Sequence, residues 1–260
     1  MKKNIFLKLF VAFTYVCMIA ANALANILPI NGNNTGEVSN AYPNLFAPAS
    51  VTFSIWGIIY FLLAAYTLYQ FGLFQKDWGK SNAALFQKIG LFFSISSVAN
   101  ILWIVSWHYR FIGVSLVLML VILFYLIKIA DVLKTQQFSN KELFFIRAPF
   151  GIYFGWITVA TIANVTTFLV SSNWNGFGLS DQVWMLIVLV VGAVIGIVRT
   201  IKDKNVFYGS VLIWAYLGIL LKHTSATEFN FQYPMIINLL IVCLISFGVT
   251  NGWVLLKKRV

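Results

Sequence analysis

Charge is what this chain has least of. Only 10% of its 260 residues are Asp, Glu, Lys or Arg, against about 25% in an ordinary soluble domain. Seven acidic residues and two histidines leave little material for a metal centre or an acid–base pair. The histidines, His108 and His223, fall between apolar runs and are expected in outer loops. The two cysteines, Cys17 and Cys243, lie inside apolar runs, so neither a disulfide framework nor a metal site is expected and both read as packing. No short-period repeat, low-complexity tract or soluble domain is visible.

In place of charge the chain has grease. It is 60% apolar and 17% aromatic, more apolar surface than a single aqueous core can hide. Runs of about 20 apolar residues recur along its length, each long enough to cross roughly 30 Å of hydrocarbon. Periodicity predicts an all-α, polytopic membrane bundle with eight spans, at roughly 5–29, 51–71, 86–107, 111–130, 146–170, 182–200, 206–221 and 233–255.

The net charge of +11 is topological. Lys2, Lys3 and Lys8 precede the first span; Lys76, Lys80 and Lys88 surround the second loop. Lys128, Lys134, Lys141 and Arg147 frame the fourth loop, Arg199, Lys202 and Lys204 the sixth, and Lys257, Lys258 and Arg259 end the chain. The alternate loops carry only Arg110 and Lys222. Such asymmetry marks the cytoplasmic face, so a multi-pass cell-membrane protein with both termini cytoplasmic is expected, partnered by lipid and not by nucleic acid. The basic start and the "ALA" before Asn26 resemble a signal peptide, but the uncharged run from Leu9 to Ile30 is longer than a usual signal core. A retained first helix is expected; cleavage would leave seven spans.

Two segments break the pattern. "NGNNTGEVSNAYPNLFAPAS", residues 31–50, is the longest outer loop and is irregular by its turn chemistry. Pro43 and Pro48 stiffen its second half, which fits either a short lid over a cavity or a solvated connector. "SSNWNGFGLSD", Ser171–Asp181, reads as an outer hinge, after which the spans become rich in Val, Ile, Leu and Gly.

The polar residues within spans carry most of the information. On a helix, positions i, i+3, i+4 and i+7 share a face. Tyr153, Trp156, Ala160 and Asn164 do so in the fifth span, with Thr161 beside them; Asn100, Trp103 and Trp107 do so in the third, and Phe53, Trp56 and Tyr60 in the second. An Asn facing lipid would cost of order several kcal/mol, so Asn100 and Asn164 are expected to face protein or an internal cavity. Trp107, Tyr109 and Trp174 read as interfacial belt residues. Each Asn or Thr alone suggests interhelical hydrogen bonding; three aromatic stripes together suggest a shared pocket.

These stripes also carry a resemblance. "YFGWITVATIAN", residues 153–164, fits Y-x-x-W-x-T-x-A-T-x-x-N and resembles the fifth-helix signature of the TspO/translocator-protein family of tryptophan-rich sensory proteins. "NILW", from Asn100 to Trp103, is similar to that family's third-helix N-x-L-W. "PASVTFSIWGIIY", from Pro48 to Tyr60, resembles its second-helix start, with Phe53 displaced by one position. The resemblance covers roughly residues 1–172 as a five-helix ligand-binding bundle, leaving residues 173–260 as a three-helix extension without an assigned role. It implies binding of a tetrapyrrole such as protoporphyrin or haem, or of another flat hydrophobic ligand, with no required cofactor. The pocket it implies is lined by Trp56, Tyr60, Asn100, Trp103, Tyr153, Trp156, Thr161 and Asn164, with Tyr42, Pro43 and Pro48 in the lid. Homodimers are common in the resembled family, so a second copy is a partner to test for. The loop here lacks the family's tryptophans and lysine, with Tyr42 standing in for one aromatic, which leaves ligand specificity open.

Three function classes follow. A receptor or carrier for a flat hydrophobic ligand fits aromatic walls with a few orienting amides. A permease is the alternative, without proton coupling, because no span holds an ionisable group near its middle. Conventional catalysis is not expected, since no nucleophile–base pair is apparent; light-dependent porphyrin degradation, reported for some relatives, needs none. No histidine falls in the implied pocket, which argues against haem ligation. Val121, Tyr125 and Lys128 fit a cholesterol-type pattern, and an interfacial anchor explains them more simply.

Overall fold

The computed structural model describes residues 2–74 and 83–257, and among these every regular element is helical. Ten α-helices follow in order: α1 (Lys2–Ile27), α2 (Thr35–Asn40), α3 (Ile55–Tyr69), α4 (Ala83–His108), α5 (Ile112–Leu133), α6 (Asn140–Glu142), α7 (Ala148–Ser171), α8 (Asp181–Asp203), α9 (Val206–Thr224) and α10 (Pro234–Lys257). A π-helical stretch, Leu143–Arg147, joins α6 to α7, so the fifth span runs from Asn140 to Ser171. Among the described residues eight segments are long and apolar enough to cross a membrane, and each overlaps one of the eight expected spans. Large apolar side chains such as Phe13, Phe61, Val117, Val194 and Ile245 point outward, as lipid requires and water does not. Lys76, Lys80, Lys258 and Arg259, part of the charge asymmetry, lie outside the described residues.

The chain groups into two compact units, one of residues 1–38 with 56–154, the other of residues 39–55 with 155–260. The first is built around α4, against which α1 and α5 pack. Gly90 permits the α1 contact: a β-carbon there would lie 3.0 Å from Val11 Cγ2. Buried Ser94 and Ser97 continue the small-residue track along α4, the usual way membrane helices approach closely. Beside it Tyr66, Phe93 and Phe150 form a triangle of edge-to-face rings, with centroids 4.7–5.9 Å apart.

In the second unit α8, α9 and α10 pack on one another. The turn between α8 and α9 is tight: Lys204 takes the left-handed conformation, and Asn205 caps α9 by accepting from the Phe207 and Tyr208 amides. Tyr216 hydroxyl donates to the Leu189 carbonyl at 2.9 Å, tying α9 to α8. Arg199 and Asp203 pair at 2.8 Å near the end of α8, away from mid-span.

Replacing Gly90 by Leu forces α1 off α4 and should cost about 1–3 kcal/mol, read as a lowered thermal midpoint in a fixed detergent. Gly57→Leu is the control, because nothing lies within 4 Å of its added β-carbon; an equal loss in both variants contradicts the α1–α4 contact.

Candidate functional site

Five of the eight expected pocket residues come together in the first unit. Trp56 and Tyr60 are one turn apart on α3 and stack at 5.4 Å with 23° between planes. Trp56 also meets Trp103 of α4 at 6.5 Å and Tyr153 of α7 at 6.1 Å. Trp103 continues the stack onto Trp107 at 6.0 Å and 25°. Four of these rings therefore ring Trp56 or extend its stack, and Trp56 and Tyr60 are only half-buried whereas Trp103 and Tyr153 are buried.

Asn100 is wholly buried, as the cost of a carboxamide in lipid demands. Its side chain is occupied at both ends. Asn22 Nδ2 of α1 donates to Asn100 Oδ1 at 2.7 Å, and Asn100 Nδ2 donates to the Tyr153 hydroxyl at 3.2 Å. Asn22 also donates to the Met18 carbonyl at 2.9 Å. This chain of groups joins three helices, so Asn100 acts as interhelical glue. The sequence reading missed Asn22, although the same rule that singled out Asn100 applies to it: a carboxamide inside an apolar run must face inward. Trp103 Nε1, by contrast, is buried with no hydrogen-bond partner among the described residues. It is a donor held ready beside the stacked rings.

The other three expected residues belong to the second unit. Trp156 packs edge-on against Phe53 at 5.8 Å and 85°. Thr161 hydroxyl donates back to the Ile157 carbonyl at 2.7 Å, which satisfies it within its own helix. Asn164 is buried. Phe53 departs from the expected second-span stripe. It sits in a 3-10 turn, Ser50–Ser54, ahead of α3, so the face-sharing spacing of an α-helix does not apply to it.

The outer loop is pinned, and each histidine pins one half. Both differ from the sequence expectation: His108 ends α4 and His223 lies in α9, and both are fully buried. His108 Nδ1 donates to the Ile30 carbonyl at 3.2 Å, leaving Nε2 to accept from the Thr35 hydroxyl at 3.1 Å. Trp107, expected at the interface, is buried and donates Nε1 to the Thr35 carbonyl at 3.2 Å. In the second unit His223 Nε2 donates to the Leu45 carbonyl at 3.0 Å. Asn44 folds the segment by accepting from the Phe46 and Ala47 amides and donating to the Tyr42 carbonyl. Pro48 is buried, Tyr42 half-buried and Pro43 exposed. The Ala49 amide then donates to the Gly218 carbonyl at 3.0 Å, and Trp214 Nε1 to the Thr52 carbonyl at 2.9 Å. Gly218 is required there, because a β-carbon would lie 2.6 Å from Thr52 Cγ2. The extension that sequence left without a role thus supplies the track on which residues 45–52 are seated.

Comparison with known proteins gives one finding. A family model described as TSPO-like protein matches residues 8–253, reaching into α10 and well past the residue 172 at which the sequence resemblance ends. No curated protein and no solved structure matches the chain.

Substituting Leu for Asn22 should lower stability by about 0.6–2 kcal/mol, the range for hydrogen bonds between membrane helices. Combining it with Asn100→Leu should cost less than the sum of the two single changes. Strict additivity in that double-mutant cycle means the two amides do not interact.

Proposed function

From a chain that belongs to the TSPO-like protein family, and that folds as a multi-pass membrane bundle, we propose a receptor or carrier that binds a flat hydrophobic ligand, a tetrapyrrole such as protoporphyrin, against its aromatic side chains. The observation that carries the reading is the Trp56 cluster: half-buried Trp56 and Tyr60 rings stacked beside buried Trp103 and Tyr153, with the Trp103 indole N–H lacking a partner among the described residues. Aromatic faces supply dispersion and stacking to a planar ligand, and a buried donor rewards a ligand that brings an acceptor. Asn100 contributes indirectly. Its amide is consumed by Asn22 and Tyr153, so it positions Tyr153 and leaves recognition to ring faces.

On this reading the protein is a binder and not a conventional enzyme, with its basic loops on the cytoplasmic side. The hydroxyl–imidazole contact of Thr35 with His108 holds the loop, because His108 is fully enclosed. Haem, if taken up, is bound by its ring faces, since both histidines are spent on the loop.

Titration of the purified full-length protein with protoporphyrin IX, followed by tryptophan quenching, tests the reading. Saturable quenching at micromolar or lower concentration is expected, weakened at least tenfold in Trp56→Ala. Trp103→Phe keeps a ring but removes the N–H, and should weaken binding by a smaller factor, about three- to tenfold for one hydrogen bond. Linear quenching that both variants leave unchanged would make the cluster a packing element only.

A further inference from the structure

The second unit contains a cavity of about 230 Å³ that none of the aromatic-cluster residues lines. Its walls come from the loop (Pro43 to Phe46), the last turns of α7, the Ser171–Asp181 hinge and the first turns of α8. Its volume falls below the roughly 300–1,000 Å³ of drug-sized pockets, so it suits a small molecule and is far too small for a porphyrin.

The lining has a definite chemical character. Trp174 and Trp184 stand 4.9 Å apart with 58° between planes, and Phe46, Leu169 and Met185 add apolar surface. Most of the polar groups are already spent on the fold. Trp184 Nε1 donates to the Gly176 carbonyl at 2.7 Å, Asn44 is folded into its own turn, Asn175 Oδ1 accepts from the Phe177 amide, and Thr166 donates to the Ile162 carbonyl. The lining carries one charged group, the Asp181 carboxylate, and no cation. Asp181 has no ion-pair partner among the described residues. Asp181 is exposed at the rim, in the first turn of α8, where the helix N-terminus shares its charge. An open cavity that combines indole faces with this rim carboxylate attracts a cation chiefly through the ring quadrupoles, with the charge as a screened second contribution.

We propose that this cavity binds a small lipophilic ammonium, an amine or quaternary ammonium carrying an aromatic or short alkyl body. The head lies toward Asp181 and the indoles, and the body fills the Phe46–Leu169–Met185 side. The site is independent of the Trp56 cluster and of the tetrapyrrole reading. The ammonium belongs either to a free amine or to a choline headgroup of a lipid, which present the same chemistry.

Calorimetric titration of the full-length protein in maltoside detergent with benzyltrimethylammonium, against its neutral isostere neopentylbenzene, tests this. The cation should bind saturably and at least about fivefold tighter than the isostere. Asp181→Asn should reduce that preference without shifting protoporphyrin binding, and Trp174→Leu should weaken the cation while leaving the thermal midpoint within a few degrees of the parent. Monomeric short-chain phosphatidylcholine that displaces the cation identifies the headgroup as occupant; failure to displace it identifies a free amine. Equal affinity for cation and isostere, or an unchanged preference in Asp181→Asn, overturns the proposal.

Discussion

Hydrocarbon contains no water, and that constraint decides which polar side chain does what in this bundle. A hydroxyl in a spanning helix has a cheap solution, a bond to a carbonyl three or four residues back. Thr14, Thr67, Ser96, Ser97 and Thr161 all take it. Such bonds satisfy the hydroxyl but say nothing about neighbouring helices. A carboxamide has two donors and an acceptor and cannot be closed off so simply. Asn22 and Asn100 therefore reach across helices, and with Tyr153 they fix the register of α1, α4 and the start of α7. Dispersion between apolar faces tolerates sliding; directional bonds buried in a low-dielectric interior do not.

The same economy explains the outer loop. A segment of 20 residues whose one α-helix is the short α2 exposes backbone groups that need partners, and here each half is answered within its own unit. His108 and Trp107 meet the backbone of Ile30 and Thr35; His223 and Trp214 meet that of Leu45 and Thr52. Two histidines that a sequence reader would scan for catalysis are consumed as hydrogen-bond clamps. The clamp on the second half depends on α9, which gives the C-terminal helices a structural function: without Gly218 and Trp214, residues 49–52 would have nowhere to dock.

The eight spans were legible because a long apolar run is an unambiguous signal, and Asn100 was legible as inward-facing because desolvation admits no other place for it. What sequence could not give was the identity of the partner. Asn22 is separated from Asn100 by 78 positions, and no periodicity links them. Stripe logic also over-counted. Phe53 is spaced correctly for the second-span face, but the helix begins only at Ile55, after a 3-10 turn, and helical spacing has no meaning outside the helix. Trp107 and His108 were misread for a related reason. They lie at the end of a span, where belts and loops are the common outcome, and the folded-back segment 30–35 hydrogen-bonds to both.

The arrangement also bears on what kind of selectivity the aromatic cluster can exert. A site that reads hydrogen-bonding edges discriminates sharply, because a wrong ligand leaves buried groups unpaired. Here the Asn100 amide is bonded to Asn22 and Tyr153, and the Trp103 N–H has no partner among the described residues, so on the proposed reading ring faces would carry most of the recognition. Stacking is strong but undemanding about substituents. For the proposed ligand class, a cluster of this construction would favour planarity and size over peripheral chemistry, and a sharper preference would have to come from groups outside the stack.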